Sequence, residues 1–254
     1  MPDDLTDFGF TRVPVKEKAS RVAAVFHSVA DRYDMMNDIM SFGTHRLMKR
    51  FAIELTAVRA GDAVLDLAGG TGDLAALLSP IVGVEGRVIL CDINPSMVQV
   101  GRDRLINRGL VSNIDYLIGD AEQLPFADQV FDAVTMAFGL RNVTDKARAL
   151  ASIHRTLKPG GKLVVLEFSK PGNTLIKGAY ETFQSTWPKI GKLVVGDDSS
   201  YRYLVESIAM HPDQEALRDM VLAAGFESCR YHNLFDGVAA IHVGTAGAAV
   251  AAGH

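Results

Sequence analysis

The stretch Val64-Leu65-Asp66-Leu67-Ala68-Gly69-Gly70-Thr71-Gly72-Asp73-Leu74-Ala75 constrains the fold more than any other part of the chain. An apolar run of strand length ends in a glycine-rich turn that feeds an apolar helix start. Strand, tight turn and helix in that order open a βαβ unit, and repeats of that unit build a parallel sheet with right-handed crossovers. Glycines at such a turn let the backbone approach a ligand without a Cβ clash. The helix start offers free N–H groups and favours anionic groups.

The alternation continues downstream. Strands are predicted at Ala63–Ala68, Arg87–Cys91, Ile114–Ile118, Ala133–Ala137 and Lys162–Phe168, with amphipathic stretches between them. Asn94-Pro95 opens one helix as N-cap and first-turn proline, with Met97, Gly101 and Leu105 inward and Gly109 at its end. Another follows Thr144-Asp145, with Leu150, Ile153 and Leu157 inward, and Lys158-Pro159-Gly160-Gly161 turns the chain into the next strand. Asp213–Ala224 reads as a helix closed by Gly225. Glu227–Leu234 and Val238–Val243 read as a closing hairpin about Asp236-Gly237. Upstream, Ala19, Val22, Ala23 and Phe26 recur at helical spacing, as do Leu47, Phe51 and Leu55.

The expected fold is therefore α/β: a Rossmann-like, doubly wound, mostly parallel seven-stranded sheet with a closing antiparallel hairpin, N-terminal helices and a lid insertion. Residues 1–15 are expected to be loose, 16–244 to form one domain and 245–254 to fray. Within the domain, helices take 16–60, the ligand-binding core 61–169, the lid 170–200, and a helix and hairpin 201–244. The lid stretch mixes prolines and glycines with apolar side chains, and suits a partly helical cover over the C-terminal rim of the sheet. Phe183 and Trp187 are candidate walls of an apolar channel within it.

Composition narrows the class. The chain has 254 residues, 48% hydrophobic and 22% charged, ordinary values for a globular protein. Its net charge of −4 argues against a nucleic-acid partner. Two cysteines, Cys91 and Cys229, cannot build a disulfide framework or a cysteine zinc site, and the seven histidines show no zinc-ligand spacing. No metal is expected. No apolar run approaches the roughly 18 residues that span a bilayer, and the acidic start lacks the pattern of a signal peptide. A cytoplasmic protein is expected. A modest basic bias over 16–50, seven Lys/Arg against four Asp/Glu, allows either a solvated helix face or contact with an anionic membrane surface.

Two ligands fit the glycine turn. Gly70-Thr71-Gly72-Asp73-Leu74-Ala75 matches the dinucleotide fingerprint, and Asp92 lies 20 residues beyond Gly72, where an acidic residue holds a ribose. That alone allows a nicotinamide dinucleotide. S-adenosylmethionine also has a ribose, with a carboxylate in place of a pyrophosphate. Asp66 would oppose a pyrophosphate but suits a cationic amino-acid moiety, or else braces the turn. Asp120 can accept from an adenine amino group and the Ala121 N–H can donate to a ring nitrogen. No tyrosine has a lysine four residues on, the spacing one large dehydrogenase class uses.

The series from Asp66 through Gly72, Asp92, Gly119-Asp120-Ala121 and Leu157–Gly161 resembles the class I S-adenosylmethionine-dependent methyltransferases. More narrowly, Val25–Asp38, Phe138-Gly139-Leu140-Arg141-Asn142-Val143-Thr144-Asp145, Leu166–Pro171 and residues 197–205 resemble the ubiquinone/menaquinone biosynthesis C-methyltransferases, over roughly residues 16–244. The resemblance implies cofactor contacts at Thr71, Asp92, Asp120 and Ala121, joined by Asp66, Gly69, Gly70 and Gly72 of the turn. At a position after the fourth strand that is often serine in the family, this chain has Ala137, which leaves only a backbone contact. It also implies methylation of a ring carbon of a polyprenylated quinol, benzoquinol or naphthoquinol, and a homodimer.

Such chemistry needs aligned reactants, stabilised phenolate character and a proton acceptor. Arg141 is the first candidate at the rim, by electrostatics rather than as a base, since a free guanidinium has a pKa above about 12. Asn142 can orient a ring oxygen and Tyr33 can close the site. Asp31 and His27 are alternative proton acceptors. The bland alternatives are an Arg141–Asp145 pair, a turn role for Asn142 and core packing for Tyr33. Two other functions remain open: methylation of another small phenolic or lipid acceptor, and a non-catalytic cofactor-binding scaffold in a quinone-biosynthesis assembly.

Overall fold

The computed structural model describes residues 4–29, 38, 41, 43–194 and 199–247. The main sheet carries the parallel strands β3 (Ala63–Leu67), β4 (Arg87–Asp92), β5 (Ile114–Ile118), β6 (Phe131–Ala137) and β7 (Leu157–Phe168). It is closed by the antiparallel β8 (Ser228–Leu234) and β9 (Ala239–Thr245). The strand order is β5-β4-β3-β6-β7-β9-β8, so the seven-stranded, mostly parallel sheet matches the sequence expectation. Winding reverses between β3 and β6, and at such a switch point open α/β sheets bind their ligands beyond the strand carboxyl ends.

Helices cover both faces. On one side Val64, Val88, Leu90 and Ala133 pack with Leu74 and Leu78 of α3 (Asp73–Val82). Leu105 of α4 (Pro95–Asn107) joins them. On the other side Leu65, Val134, Leu163 and Val165 pack with Leu150 and Ile153 of α5 (Lys146–Thr156). Three asparagine or aspartate caps start helices as the sequence predicts. Asn94 accepts from Ser96 N–H, Asp145 from Arg148 N–H, and Asp213 from Ala216 N–H at the head of α8 (Gln214–Ala223).

Four local expectations are corrected. Of the stretch 1–15 expected to be loose, the described part is ordered: β1 (Leu5–Phe8) and β2 (Thr11–Pro14) form an antiparallel hairpin before α1 (Val15–Val29). In α2 (His45–Thr56) Phe51 and Leu55 pack against the core, but Leu47 is 64% exposed, and Met48, Ala52 and Ile53 are the most buried apolar residues. The lid is one long helix, α6 (Thr174–Val194), packed on a helix the periodicity did not reveal, α7 (Ser199–Met210). At the far end, Thr245 lies in β9, and Ala246 exchanges backbone hydrogen bonds with Gly160 and Gly161 at 3.0 and 2.9 Å. No described helix is long and apolar enough to cross a membrane.

Candidate active site

The ends of β3 and β6 are pressed together at the switch point. A Cβ on Gly139 would lie 2.5 Å from the Ala68 Cβ. Ala68 and Phe138, the residues following the two strands, both take left-handed φ angles, 52° and 56°. Such backbone is costly for residues with a Cβ and collects at functional sites. The close approach turns both chains outward around a cavity of about 330 Å³, within the usual range of small-molecule sites, about 300–1,000 Å³.

The glycine turn forms one wall. Gly70 and Gly72 have φ angles of 53° and 82°. Helix α4 crosses close behind: a Cβ on Gly101 would sit 2.7 Å from the Gly70 carbonyl oxygen. At the end of β4, Asp92 accepts from Gly70 N–H at 3.0 Å and from Asn94 N–H at 2.9 Å. Burial raises its pKa, and those backbone hydrogen bonds oppose the rise. Each carboxylate oxygen has lone pairs to spare, so it can still accept from a ligand's hydroxyls. Asp120 starts the 3₁₀ turn Ala121–Gln123 and accepts from Glu122 N–H at 2.9 Å.

Not every residue singled out in the sequence faces this space. The cavity wall brings together Gly70, Asp92, Asp120, Ala121, Ala137 and Asn142. Asp66, Gly69, Thr71, Gly72 and Arg141 stand behind it. Asp66 is 1% exposed. Its oxygens accept from Ala75 N–H at 3.0 Å and the Thr135 hydroxyl at 3.2 Å, which is the bracing role. Burial pushes its carboxyl up to about 7. The Thr71 hydroxyl accepts from Arg104, which also pairs with Asp73 at 2.8 Å. Asp73 is bound from the other side by Lys49 at 2.6 Å.

The rim after β6 is a 3₁₀ turn, Leu140–Asn142. Arg141 does not pair with Asp145, which caps α5. It pairs with Glu167 of β7, Nη1 to Oε1 at 2.9 Å, with side chains 4% and 1% exposed. The Arg141 backbone N–H donates to Glu167 Oε2 at 3.2 Å, Nη1 also donates to the Phe138 carbonyl, and the guanidinium lies over the Phe168 ring at 5.6 Å. The Nε–H is buried with no partner among the described residues. Beside it, Asn142 Oδ1 accepts from the Tyr203 hydroxyl of α7 at 3.0 Å.

Helix α1 closes the cavity from above. The Lys18 ammonium donates to the Val143 carbonyl at 3.4 Å, and Asn94 Nδ2 donates to the Ala23 carbonyl at 3.2 Å. Burial, helped by the nearby Lys146 charge, lowers the Lys18 pKa to about 8. Tyr33 and Asp31 lie outside the described residues, as does the His27 side chain. In the lid, Trp187 is not an open channel wall: at 1% exposure it packs with Tyr201, Leu204 and Ile208 of α7.

Glu167 and Tyr203 are the site residues that motif reading missed. Glu167 had a signal. It is the one charge in the apolar run Leu163–Phe168, and a buried charge must find a partner.

The comparisons with known proteins agree with this geometry. A family model described as the ubiE/COQ5 methyltransferase family matches residues 14–246. A ubiquinone/menaquinone biosynthesis C-methyltransferase UbiE of Teredinibacter turnerae is 57% identical over 96% of this chain and 98% of its own length. The protein of the same name from Pseudomonas fluorescens is 58% identical over 94% of each chain. Among solved structures, a SAM-dependent methyltransferase from Aquifex aeolicus superposes with a TM-score of 0.61 at 17% identity, over 84% of this chain and 97% of its own, and so shares the fold. This chain belongs to the ubiE/COQ5 methyltransferase family.

Proposed function

We infer that this chain methylates a ring carbon of a polyprenylated quinol with S-adenosylmethionine, in ubiquinone or menaquinone biosynthesis. The names of its relatives support the reaction. The observation that carries it is the joining of two parts in one cavity: the glycine turn with Asp92 at one end, and the Phe138–Asn142 rim beside a buried arginine at the other.

The residues present fit the cofactor. Asp92 would take the ribose hydroxyls, Asp120 and Ala121 the adenine edge, and Gly70 the close backbone approach, with Ala137 contributing backbone only. Bound there, S-adenosylmethionine supplies an electrophilic methyl on a sulfonium. The chain's own work lies at the acceptor. A quinol carbon becomes more nucleophilic as its neighbouring hydroxyl gives up its proton and the phenolate oxygen feeds electron density into the ring, so a donor that stabilises that oxygen favours the reactive form. Arg141 fits this task. Glu167 and the Phe138 carbonyl take its Nη1, Phe168 covers one face, and Nε–H remains to donate. Asn142, the next residue, lines the cavity itself and stands between it and the buried arginine's segment.

A peripheral membrane contact belongs to this reading, since the acceptor's tail resides in a bilayer. The start of α6 exposes Leu175 at 82%, and Phe235 is 59% exposed. Asn173 N–H donates to Asp236 at 2.8 Å, which draws the two segments together. Sedimentation with anionic vesicles, lost in Leu175→Asp with Phe235→Asp, checks that contact.

The deciding experiment is transfer of labelled methyl from S-adenosylmethionine to chemically reduced acceptors. One tube holds a 2-polyprenyl-naphthoquinol and another a 2-methoxy-6-polyprenyl-benzoquinol, each with an oxidised control. Label on carbon in reduced tubes alone is the expected result. Cofactor binding without transfer to either acceptor overturns the reading in favour of another acceptor or a scaffold.

A further inference from the structure

Asn142 carries an amide whose two ends differ in chemistry: the oxygen only accepts and the nitrogen only donates. Which end faces the cavity decides what the cavity can bind there. The answer comes from α7. The Tyr203 hydroxyl lies 3.0 Å from Asn142 Oδ1, and Tyr203 is 6% exposed.

Two orientations of the amide would give a contact at that distance. In one, Tyr203 O–H donates to the amide oxygen, and the NH2 group is left to the cavity. In the other, the amide nitrogen donates to the phenol oxygen, and the phenol hydrogen loses its acceptor. A buried donor without an acceptor is costly, so the first arrangement wins. Burial also pushes the Tyr203 phenol up to about 12, so the proton it donates is retained. In this arrangement the Asn142 side chain lines the cavity with its amide nitrogen unpartnered among the described residues.

The tyrosine is itself held. Its ring stacks on Phe8 of β1, centroids 4.4 Å apart and planes 22° from parallel. The hairpin turn is tied to the same helix, with Phe10 N–H donating to Glu206 at 3.1 Å. On the other side, the Asn142 backbone N–H donates to the Gly139 carbonyl at 3.0 Å, which fixes the position from which the amide projects.

We propose that Tyr203 is a positioning residue: it turns the Asn142 amide so that NH2, rather than the carbonyl oxygen, meets the acceptor's ring oxygen. The Asn142 side chain then presents only a donor, NH2, to the cavity, while Arg141 lies behind the wall with its Nε–H buried. A donor there favours an oxygen that carries negative charge over a hydroxyl that must itself donate. This deepens the quinol reading and rests on it.

The test compares wild type with Asn142→Ala, Asn142→Asp, Tyr203→Phe and the Tyr203→Phe/Asn142→Ala double variant. Readouts are kcat and KM for the reduced acceptor, with S-adenosylhomocysteine affinity measured separately. Aspartate accepts from Tyr203 with one oxygen and shows the other to the acceptor. Asn142→Asp is therefore expected to lose more kcat than Asn142→Ala, by about tenfold or more. Tyr203→Phe is expected to lower kcat in the wild-type background and to change nothing further once Asn142 is alanine, with cofactor affinity kept in every variant.

An aspartate variant more active than the alanine variant overturns the proposal, because the oxygen would then face the cavity. So does an equal loss from Tyr203→Phe in both backgrounds, which marks a purely structural tyrosine. The aspartate–alanine comparison stands even if Tyr203→Phe fails to fold. A wild-type enzyme that methylates neither quinol overturns the underlying reading and this proposal with it. An active wild type with the wrong ranking of variants overturns the proposal alone.

Discussion

Glu167 holds Arg141 at two points, the guanidinium Nη1 by Oε1 at 2.9 Å and the backbone N–H by Oε2 at 3.2 Å. The same carboxylate accepts from Phe168 N–H at 3.0 Å. One buried anion therefore fixes both the path of the rim backbone and the direction of the arginine. Buried pairs of this kind cost much to break and little to replace whole. Glu167→Leu is expected to destabilise the protein by about 3–5 kcal/mol. Arg141→Met with Glu167→Leu is expected to recover most of that stability while methyl transfer stays lost. Urea unfolding of the single and double variants, read beside turnover, checks both halves; a double variant no more stable than Glu167→Leu would count against the pair.

Arg141→Ala is expected to lower turnover while S-adenosylhomocysteine affinity stays near wild type, since the guanidinium pairs with Glu167 and not with any residue proposed for the cofactor. Calorimetric titration and initial rates measure the two quantities separately. Loss of both together would make Arg141 a structural residue of the whole cavity.

Asp92→Ala is expected to weaken cofactor binding by about 10- to 150-fold, the range for removing a charged hydrogen-bond acceptor. The change also strips the acceptor from Gly70 N–H and Asn94 N–H. Circular dichroism should show the fold retained. Unchanged affinity would remove Asp92 from the site.

Gly101→Ala tests the fit of α4 against the glycine turn. The added Cβ would lie 2.7 Å from the Gly70 oxygen, which is backbone and cannot swing aside. Overpacking of this sort costs about 1–3 kcal/mol. The displaced turn is expected to lose cofactor affinity as well. Full affinity with full stability would show that helix and turn separate freely.

Asp66 makes stability depend on pH in a predictable direction. Its folded-state carboxyl lies at about 7 against an ordinary 3.8, so between those values the folded chain binds the extra proton. Its contribution to stability therefore falls as pH rises from about 4 to about 7, and levels off above. Asp66→Asn cannot ionise and lacks this slope. Relative to wild type, the variant is expected to gain stability as pH rises from about 4 to about 7 in cofactor-free unfolding experiments. A difference that does not change with pH would refute the assignment.

Much of this site was legible because its signals are local. The strand, the three glycines and the helix they open are contiguous, and Asn94, Asp145 and Asp213 announce helix starts by side chains that bond only two or three residues on. The rest depends on contacts distant in sequence. Arg141 and Glu167 are 26 residues apart, and Asn142 and Tyr203 are 61 apart. No spacing rule links either pair, so Asp145, the nearest acid after Arg141, stood as the alternative partner. The β1–β2 hairpin escaped notice because each strand has only four residues and little apolar alternation. In α2 one of three positions differs: Phe51 and Leu55 pack on the sheet cluster, but Leu47 is exposed and Met48 packs there instead.

The closing strands carry a consequence for how the molecule is made. β9 lies between β7 and β8 and bonds to both. A ribosome delivers β8 first, yet β8 has no edge to join until β9 has followed it out and paired with β7. Through that interval β7 offers an open edge of a largely apolar sheet, beside the segment that holds Glu167. A nascent chain stalled before β9 would therefore leave the strand that carries Glu167 as the open edge of the sheet.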